Sequence, residues 1–301
     1  MVRRVDFGTV QLTDAAGGAH TAVARGALMG ARKSLGNRVV VGDEVRLEWE
    51  GERAVIAGVE PRRNSFSRRA AGERIEEQVV AANLDRVVLV TSLRQPDFKP
   101  GLVDRVLAQA AVSGIPAVLV VNKTDLGAES DARAWIDEYA PAGVTGFATC
   151  AKSGRGVDAL RDACRGRRSL LVGHSGVGKS TLLGVLAPGH EQLAGEVNAR
   201  TGKGRHTTTA ALLIEPEPGT QFIDTPGVRS FGLWGVDEGV LQHFFPELAP
   251  HLGACRFGDC RHDREPGCEV RAALERGEIT ARRWESFTRL RDELAEERRR
   301  V

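Results

Sequence analysis

The fold is decided by the stretch Gly173-His174-Ser175-Gly176-Val177-Gly178-Lys179-Ser180-Thr181. Its spacing, G-x-x-x-x-G-K-S, is typical of a phosphate-binding loop. The glycines let successive backbone N–H groups turn inward around an anion, and a helix that begins at the loop adds the positive end of its dipole. We expect Lys179 to reach the β- and γ-phosphates of a nucleotide and the Ser180 hydroxyl to bind Mg²⁺.

The sequence on either side of this loop supplies the strand and the helix that such a loop needs. Residues 169–172 form an apolar run typical of a buried strand, and residues 182–186 continue at helical spacing. A glycine-rich turn without a ligand is the alternative. It is disfavoured because both glycines, the Lys-Ser pair and the flanking elements occur together.

A strand–helix–strand unit is predicted upstream of the phosphate loop. Residues 85–91 and 115–121 are typical of buried strands, and residues 102–113 have helical periodicity. Such a unit implies a parallel sheet, in which ligands bind at the carboxyl ends of the strands. The second strand ends at this edge with the motif Asn122-Lys123-Thr124-Asp125.

This N-K-x-D motif predicts a site for guanine. The carboxylate of Asp125 accepts two hydrogen bonds and so matches the N1–H and 2-amino groups of guanine, whereas adenine presents an acceptor at N1. We expect Asn122 to brace the loop and the stem of Lys123 to lie along the base. The alternative, an ATP-dependent kinase or ATPase, requires that Asp125 does not contact the base.

A second base-binding loop is predicted at Cys150-Ala151-Lys152, after a predicted strand at residues 146–149. GTPases carry Ser-Ala-Lys at this place, and a backbone N–H, here that of Ala151, contacts the guanine O6. Cys150 replaces the usual serine. As an alternative, Cys150 is a small core residue.

The glycine-rich, basic segment at residues 197–209 lies where a GTPase has its first switch loop. We expect Thr208 to close over Mg²⁺ when the γ-phosphate is present, and we count it among the catalytic residues with Lys179. Thr207 and Thr209 are alternatives for the same role.

The motif D-x-x-G, typical of a second switch loop, follows two predicted strands at residues 210–215 and 221–223. We expect Asp224 to hold Mg²⁺ through water and the Gly227 N–H to contact the γ-phosphate. Both base loops precede the phosphate loop, whereas ordinary GTPases begin with the phosphate loop. The order therefore predicts a circularly permuted GTPase domain at residues 66–236, with a mostly parallel sheet flanked by helices.

Residues 1–65 predict a separate barrel of short strands. Apolar segments at 5–12, 21–24, 39–41, 45–49 and 54–59 alternate with glycine turns, which fits an OB-fold, a fold that commonly binds oligonucleotides. Residues 61–69 are interpreted as a basic linker. Basic residues with no acid at 25–38 suggest contact with RNA phosphates, and a solvated basic face on a structural barrel is the alternative. These basic residues are Arg25, Arg32, Lys33 and Arg38.

The C-terminal segment, residues 237–301, predicts a helical domain with a metal site. Its motif C-x₄-C-x-H-x₅-C matches a closed, structural Cys₃His zinc site rather than a chance cluster of cysteines. Arginine-rich helices are predicted at residues 269–276 and 281–300, as an RNA-facing surface or as solvated amphipathic helices. The four predicted zinc ligands are Cys255, Cys260, His262 and Cys268.

Composition limits the class of protein. In 301 residues, 42% are hydrophobic and 27% charged, with a net charge of +2, as in soluble globular proteins. Five cysteines, unevenly spaced, argue against a disulfide framework. The sequence has neither an apolar run of membrane-spanning length nor the apolar core of a secretory signal, so we expect a cytoplasmic protein.

Taken together, these features resemble the bacterial ribosome small-subunit-dependent GTPase A family, the YjeQ/RsgA type. The resemblance is carried by a barrel, N-K-T-D before G-H-S-G-V-G-K-S-T, G-R-H-T-T-T at 204–209, D-T-P-G-V-R-S-F-G-L-W at 224–234 and the cysteine motif. It spans essentially the whole chain. It implies a multidomain α/β fold composed of an OB-fold, a permuted P-loop GTPase and a helical zinc-binding domain.

The resemblance implies a GTPase that binds the 30S ribosomal subunit and its 16S rRNA late in maturation, is stimulated by the subunit and leaves after hydrolysis. It implies Mg²⁺ with GTP or GDP and one zinc ion per chain; we expect a monomer with neither a DNA nor a membrane partner. It also implies a role for His206 in hydrolysis. Val228 stands where many GTPases have a water-orienting glutamine and cannot hydrogen-bond, so His206 is the local candidate. A contact of His206 with the switch or with RNA is the alternative.

Two hypotheses from different classes follow. The first is an enzyme whose GTP hydrolysis governs docking on a ribosomal particle. The second is an RNA-binding assembly module in which the nucleotide is structural or regulatory and turnover is incidental. GTP hydrolysis measured with and without small subunits distinguishes them.

Overall fold

The structure, a computed structural model, describes residues 1–6, 8–25, 39–70, 76–189, 211–227 and 231–299. Its strands are β1 Val2–Val5, β2 Val10–Thr13, β3 Ala19–Ala24, β4 Val45–Glu50, β5 Arg53–Val59, β6 Ser65–Arg69, β7 Glu77–Ala82, β8 Arg86–Ser92, β9 Ala117–Asn122, β10 Thr145–Ala148, β11 Arg168–Gly173, β12 Leu212–Glu217 and β13 Thr220–Asp224. Its α-helices are α1 Pro100–Val112, α2 Glu129–Tyr139, α3 Val157–Cys164, α4 Lys179–Leu186, α5 Glu269–Glu275 and α6 Ala281–Arg299.

A parallel sheet forms the centre of the molecule, in the order β10-β9-β8-β11-β13. Its strands are apolar on both sides, because helices cover both faces. Val87 and Leu89 of β8 join the cluster that contains α1 and α2, whereas Val88 and Val90 join the cluster that contains α3 and α4. The predicted strand–helix–strand unit and its parallel sheet are confirmed.

The N-terminal strands continue this sheet. β12 is antiparallel to β13 and pairs through Leu212 with Arg4 of β1. The order then runs β1-β2-β3-β5-β4, with β3 and β5 parallel, around a separate apolar cluster that includes Val2, Leu12 and Ile56. Over the described ranges, no pairing between β4 and β1 closes these strands into a barrel, so the OB-fold stays a prediction.

Two strand predictions in this part are wrong. Residues 5–12 form two strands rather than one, because the chain turns at Gly8, whose φ is +85°, and the Asp6 N–H donates to the Thr9 carbonyl. Residues 39–41 are buried but lie in a turn. That turn hydrogen-bonds to two strands: the Gly42 N–H donates to the Val2 carbonyl, and the Ala82 N–H donates to the Val41 carbonyl.

The predicted linker at residues 61–69 is also wrong, since its second half is a strand. β6 pairs antiparallel with β7 in a separate two-stranded sheet. Phe66 of β6 is fully buried and packs against Phe231, with ring centroids 5.5 Å apart. This partner lies far away in sequence, which is why the local basic composition concealed the strand.

The C-terminal part is helical, as predicted. α5, α6 and two 3₁₀ helices, Leu241–Phe244 and Pro246–His251, surround an apolar cluster to which Ala108 of α1 also belongs. α6 buries Phe287 and Leu290 on one face, which is the amphipathic pattern expected from its sequence. Among the helices that the structure describes, none is both long and apolar enough to span a membrane.

Candidate nucleotide site and candidate metal centre

The phosphate loop connects β11 to α4, as predicted, and begins at Gly173, the last residue of β11. Gly176 and Gly178 have φ angles of +83° and +92°. A Cβ at Gly178 would lie 2.5 Å from the Asn122 side-chain amide nitrogen. Glycine is therefore required at 178 both for its backbone conformation and for the close approach of the base loop.

Asn122 connects three loops at the carboxyl edge of the sheet. Its side chain, 1% exposed, donates to the Val177 carbonyl in the phosphate loop at 3.0 Å. Its Oδ1 accepts from the Thr149 hydroxyl at 3.1 Å and from the Ala151 N–H at 3.0 Å. A buried amide with these partners fixes the N-K-x-D motif, the phosphate loop and the second base loop relative to one another.

The Ala151 N–H is the donor that we predicted for the guanine O6. In this structure it donates to Asn122, so a contact with the base would have to share this N–H. Cys150 is buried and Lys152 is exposed. The sulfur of Cys150 lies 3.3 Å from Oδ1 of Asp125, so the replacement of serine by cysteine keeps a donor beside that carboxylate.

The structure brings Asp125 and Lys123 to the mouth of the site. Asp125 is exposed after β9, where a base could approach its carboxylate. Lys123 has a left-handed backbone, with φ +59°, and its Cε lies 3.8 Å from the position of a Cβ at Gly178. The stem of Lys123 therefore lies beside the phosphate loop.

Lys179 lies inside the phosphate loop rather than in solvent. It is 8% exposed, and its ammonium donates to the carbonyls of Gly173 at 2.9 Å and His174 at 3.3 Å. Burial lowers the pKa of Lys179, and the charge of Asp224 opposes this shift. An anion in the loop would favour the charged ammonium that the burial disfavours.

The D-x-x-G loop lies against the phosphate loop. Asp224 ends β13 and is paired in register with Leu171 of the parallel neighbour β11. The Thr225 hydroxyl donates to the Leu171 carbonyl at 2.8 Å. A Cβ at Gly227 would lie 2.9 Å from the Cα of Ser175. Gly227 is therefore in backbone contact with the phosphate loop.

Several predicted site residues lie outside the described residues. These are His206 with Thr207, Thr208 and Thr209, and also Val228, together with the basic residues Arg32, Lys33 and Arg38. Ser180 and Thr181 are described and exposed in the first turn of α4.

Sequence reasoning missed two residues next to this site. The Lys99 ammonium lies 3.0 Å from Nε2 of His174, which contacts the Ser175 carbonyl through Nδ1 at 2.7 Å. Arg155 donates to the Thr124 hydroxyl at 3.1 Å. For Lys99 no sequence motif gives a signal. For Arg155 the signal was its place in the loop that follows Cys150.

The four predicted metal ligands converge. Their ligand atoms all lie within 4.8 Å of one another. Nδ1 of His262 is 3.6 Å from the Cys255 sulfur and 3.4 Å from the Cys268 sulfur, and these two sulfurs are 4.0 Å apart. A tetrahedral zinc–thiolate site has ligand–ligand edges of about 3.8 Å, from bonds of about 2.3 Å. The cluster, completed by Cys260, therefore fits a metal ion.

A hydrogen bond from outside the cluster orients the imidazole of His262. Nε2 of His262 is 2.6 Å from Oε1 of Gln242, which leaves Nδ1 directed at the sulfurs. Burial raises the pKa of Cys260 to about 12 and also raises the pKa of Cys268. A central cation would favour the thiolate form of both residues.

The predicted basic surfaces are partly neutralised by acids. Arg25 lies between Glu48 and Glu50, at 2.6 and 3.4 Å from their carboxylates. Arg283 of α6 is buried against Asp104 and Glu247. These two arginines therefore bind acids of the same chain rather than presenting an unpaired charge to RNA.

A parallel sheet whose carboxyl edge carries base loops, a phosphate loop and a D-x-x-G loop, with the base loops first along the chain, defines a circularly permuted P-loop GTPase. The model of one family, RsgA GTPase, matches residues 59–234. The chain belongs to the RsgA GTPase family, which confirms the resemblance found in its sequence.

Relatives match over most of the chain. The protein named small ribosomal subunit biogenesis GTPase RsgA of Gemmatimonas aurantiaca is 42% identical over 261 residues, 85% of each chain. The protein of the same name in Chlorobaculum parvum is 40% identical over 269 residues, 86% of each chain.

Solved structures have the same fold. The crystal structure of YjeQ from Thermotoga maritima matches with a TM-score of 0.74 and 29% identity, over 98% of this chain and 97% of that one. The structure of YloQ, described as a circularly permuted GTPase, matches with a TM-score of 0.71 and 24% identity, over 98% of this chain and 94% of that one. The second match supports the fold alone.

Proposed function

We propose that this chain hydrolyses GTP to GDP and phosphate on the small (30S) ribosomal subunit, late in the maturation of that subunit. The subunit stimulates hydrolysis, and hydrolysis is coupled to release. The observation that carries the GTPase proposal is that Asn122, in the first base loop, bonds both the second base loop and the phosphate loop. The ribosomal partner is supported by the names of the relatives.

Each loop has a role in this proposal. Asp125 reads guanine, and the loop at 150–152 closes the base site. The phosphate loop holds the phosphates through its N–H groups and through the charge of Lys179. Gly227, which lies against Ser175 of the phosphate loop, senses the γ-phosphate through its N–H. His206 positions the attacking water, because Val228 has no hydrogen-bonding side chain.

Two metals belong to the proposal. Ser180, Thr208 and Asp224 would hold Mg²⁺, which neutralises phosphate charge when bound. The Cys₃His cluster would hold one structural zinc ion, since its four ligands leave no open position for a reacting water. Zinc is favoured over other metals by the mixture of thiolates and imidazole in a tetrahedral arrangement.

We propose a division of labour among three segments. Residues 1–65 are an RNA-binding OB-fold, residues 66–236 are the GTPase, and residues 237–301 are the zinc-binding domain. One apolar cluster within residues 2–59 and another within residues 88–222 support the first two assignments. The chain acts as a monomer in the cytoplasm, on the 16S rRNA of the subunit, with neither DNA nor membrane as partner.

The deciding experiment measures GTP hydrolysis by the purified chain with and without purified small subunits. A strong increase with subunits supports the proposal. Flat, negligible rates in both would instead favour an RNA-binding assembly module in which the nucleotide is structural. Asp125→Asn is the specificity control: weaker GTP binding and a shift toward xanthosine triphosphate are expected, whereas an unchanged preference would contradict guanine recognition.

His206 has its own test within the same assay. His206→Ala should lower the subunit-stimulated rate and leave GTP affinity near normal, because a residue that positions water contributes to turnover rather than to nucleotide binding. Loss of GTP binding would assign His206 a different role.

A further inference from the structure

Two side chains of the second base loop and the turn after it, Cys150 and Arg155, hold the loop that carries Asp125. We propose that Cys150 and Arg155 are positioning residues that preset the Asp125 carboxylate for guanine, and that they thereby set the preference for guanine over a purine that lacks the 2-amino group. This inference rests on the proposed function, because it concerns the base site of the same nucleotide.

Cys150 acts directly on the carboxylate. Its thiol donates to Oδ1 of Asp125 at 3.3 Å, and the residue is 3% exposed. Cys150 forms an antiparallel bridge with Arg155, in which the Cys150 N–H donates to the Arg155 carbonyl at 2.9 Å. This bridge fixes the backbone from which the thiol projects, so the sulfur is held at one place beside Asp125.

Arg155 acts on the other side of the same loop. Its guanidinium donates to the hydroxyl of Thr124, the residue that precedes Asp125, at 3.1 Å. That hydroxyl donates in turn to the Thr149 carbonyl at 3.1 Å, and the Thr124 N–H donates to the same carbonyl at 3.2 Å. Thr124 is 4% exposed. Thr124 is therefore held at its backbone by the Thr149 carbonyl and at its hydroxyl by both Thr149 and Arg155.

The consequence for recognition comes from the exposure of Asp125. An exposed carboxylate on a free loop loses rotamer entropy when it binds, and it accepts two hydrogen bonds from guanine only when both oxygens lie near the plane of the base. The thiol and the guanidinium remove part of this cost before the base arrives. Loss of either side chain should therefore weaken the binding of a guanine nucleotide more than that of a hypoxanthine nucleotide, because hypoxanthine offers N1–H but no 2-amino group.

The test measures the dissociation constants of GDP and inosine diphosphate for the full chain by calorimetry. Cys150→Val removes the donor and keeps a side chain of similar volume, whereas Cys150→Ser restores a donor. Arg155→Met removes the guanidinium, and Arg155→Lys keeps a positive charge but lacks the planar N–H donors of the guanidinium. Asp158→Asn, in the exposed first turn of α3, is the control, because its carboxylate pairs with Arg161 and not with the loop that carries Asp125.

The preference for guanine is the dissociation constant of inosine diphosphate divided by that of GDP. We expect Cys150→Val and Arg155→Met each to reduce this ratio by about fivefold, the effect of one lost hydrogen bond. Cys150→Ser should return the ratio to that of the natural chain. Asp158→Asn should leave it unchanged.

Equal weakening of both nucleotides in these variants, or a ratio that Cys150→Ser fails to restore, would overturn the positioning role. Should Cys150→Val fail to fold, Arg155→Met and Thr124→Val report on the same loop, and an unchanged ratio in both would overturn the inference. A natural chain that binds neither nucleotide would instead contradict the proposed function itself.

Discussion

Gln109 of α1 and Trp234 exchange two hydrogen bonds. The Trp234 N–H donates to Oε1 of Gln109 at 2.8 Å, and Nε2 of Gln109 donates to the Trp234 carbonyl at 3.2 Å. Close by, the Gly232 carbonyl accepts from the Arg69 N–H of β6 at 3.0 Å. The segment after the D-x-x-G loop is therefore anchored on α1 and on β6. A nucleotide-dependent movement at Gly227 would meet these anchors before it reached the C-terminal domain.

Replacing Gln109 should destabilise the chain. Gln109→Leu keeps the approximate volume of a side chain that is 1% exposed but leaves the N–H and C=O of Trp234 without these partners. We expect a loss of about 2 kcal/mol in the free energy of unfolding, measured by urea denaturation. Arg133→Ala, on the exposed face of α2, should cost less than about 0.5 kcal/mol. Equal stabilities of Gln109→Leu and the natural chain would contradict the anchoring role.

A buried charge network lies where α1 packs against α6 and the second 3₁₀ helix. Arg283 of α6 is 4% exposed and donates to Asp104 of α1 and to Glu247, while Asp104 also accepts from the Tyr139 hydroxyl at 3.0 Å. Burial raises the pKa of Tyr139, so its hydroxyl stays protonated and can donate.

Removing only the cation of this network should lower the free energy of unfolding more than removing the cation together with the two carboxylate charges. Arg283→Met removes the cation that the two buried carboxylates share and leaves Asp104 with the more distant Arg282 and Arg289, at 4.0 and 3.9 Å. For this substitution we expect a loss of about 3 kcal/mol. Combining it with Asp104→Asn and Glu247→Gln should recover part of that loss. Urea denaturation of the single, double and triple variants measures the coupling, and strictly additive losses would mean that these charges do not interact.

Much of the central domain could be predicted from the sequence, because each nucleotide motif is local. Apolar runs of strand length ending in Asn122 or Asp224 place these residues at one edge of a parallel sheet, and the glycine spacing before Lys179 requires a loop at that edge. The four metal ligands were likewise predictable, since Cys255 and Cys268 are close in sequence.

The parts that sequence could not give depend on distant partners. Phe66 lies in a basic stretch, and only its contact with Phe231 shows why that stretch is a strand. Carboxylates such as that of Asp104 are seldom fully buried. Asp104 is 1% exposed, because Arg283 accompanies it into the interior. Neither pairing leaves a periodic signal in the chain.

Lys179 should be essential for nucleotide binding. Its ammonium is held inside the phosphate loop by the carbonyls of Gly173 and His174. Lys179→Ala should weaken GTP binding by roughly 100-fold or more, because charge-assisted bonds to the phosphates are lost. Lys99→Ala, whose side chain touches only the rim of the loop at His174, should change affinity far less. Calorimetric titration with GTP separates the two, and normal affinity in Lys179→Ala would contradict the phosphate site.

The metal centre should lose affinity when the contact behind His262 is removed. Gln242→Leu deletes the partner of Nε2, so the imidazole is no longer held with Nδ1 toward the sulfurs. We expect metal affinity to fall about 10–100-fold, measured by competition with a chromogenic chelator. His243→Ala, an exposed residue on the same 3₁₀ helix, is the control. Elemental analysis of the natural chain should find about one zinc ion per chain; a folded chain free of metal would contradict the site.

Asp85 should make stability depend on pH. It lies before β8 and accepts hydrogen bonds from the Arg168 N–H at 2.8 Å and from the Arg63 guanidinium at 2.7 Å. Burial acts to raise the pKa of Asp85, but these bonds and the two positive charges outweigh it and hold the pKa below its ordinary value of 3.8. The folded chain thus binds the proton of Asp85 less readily than the unfolded chain. Its contribution to stability is present above pH 3.8 and is lost as the pH falls through the lower pKa of the folded state.

Asp85→Asn tests this contribution. At pH 7 the variant should be less stable by about 1 kcal/mol, the difference between a charged and a neutral acceptor. The difference should shrink as the pH is lowered toward about 3, because protonation removes the charge of Asp85 in the natural chain as well. Urea unfolding at a series of pH values measures it, with Asp97→Asn, whose carboxylate is 77% exposed, as the control. A difference that stays constant across this range would show that the charge of Asp85 does not contribute, since only a titrating group gives a loss that follows the pH.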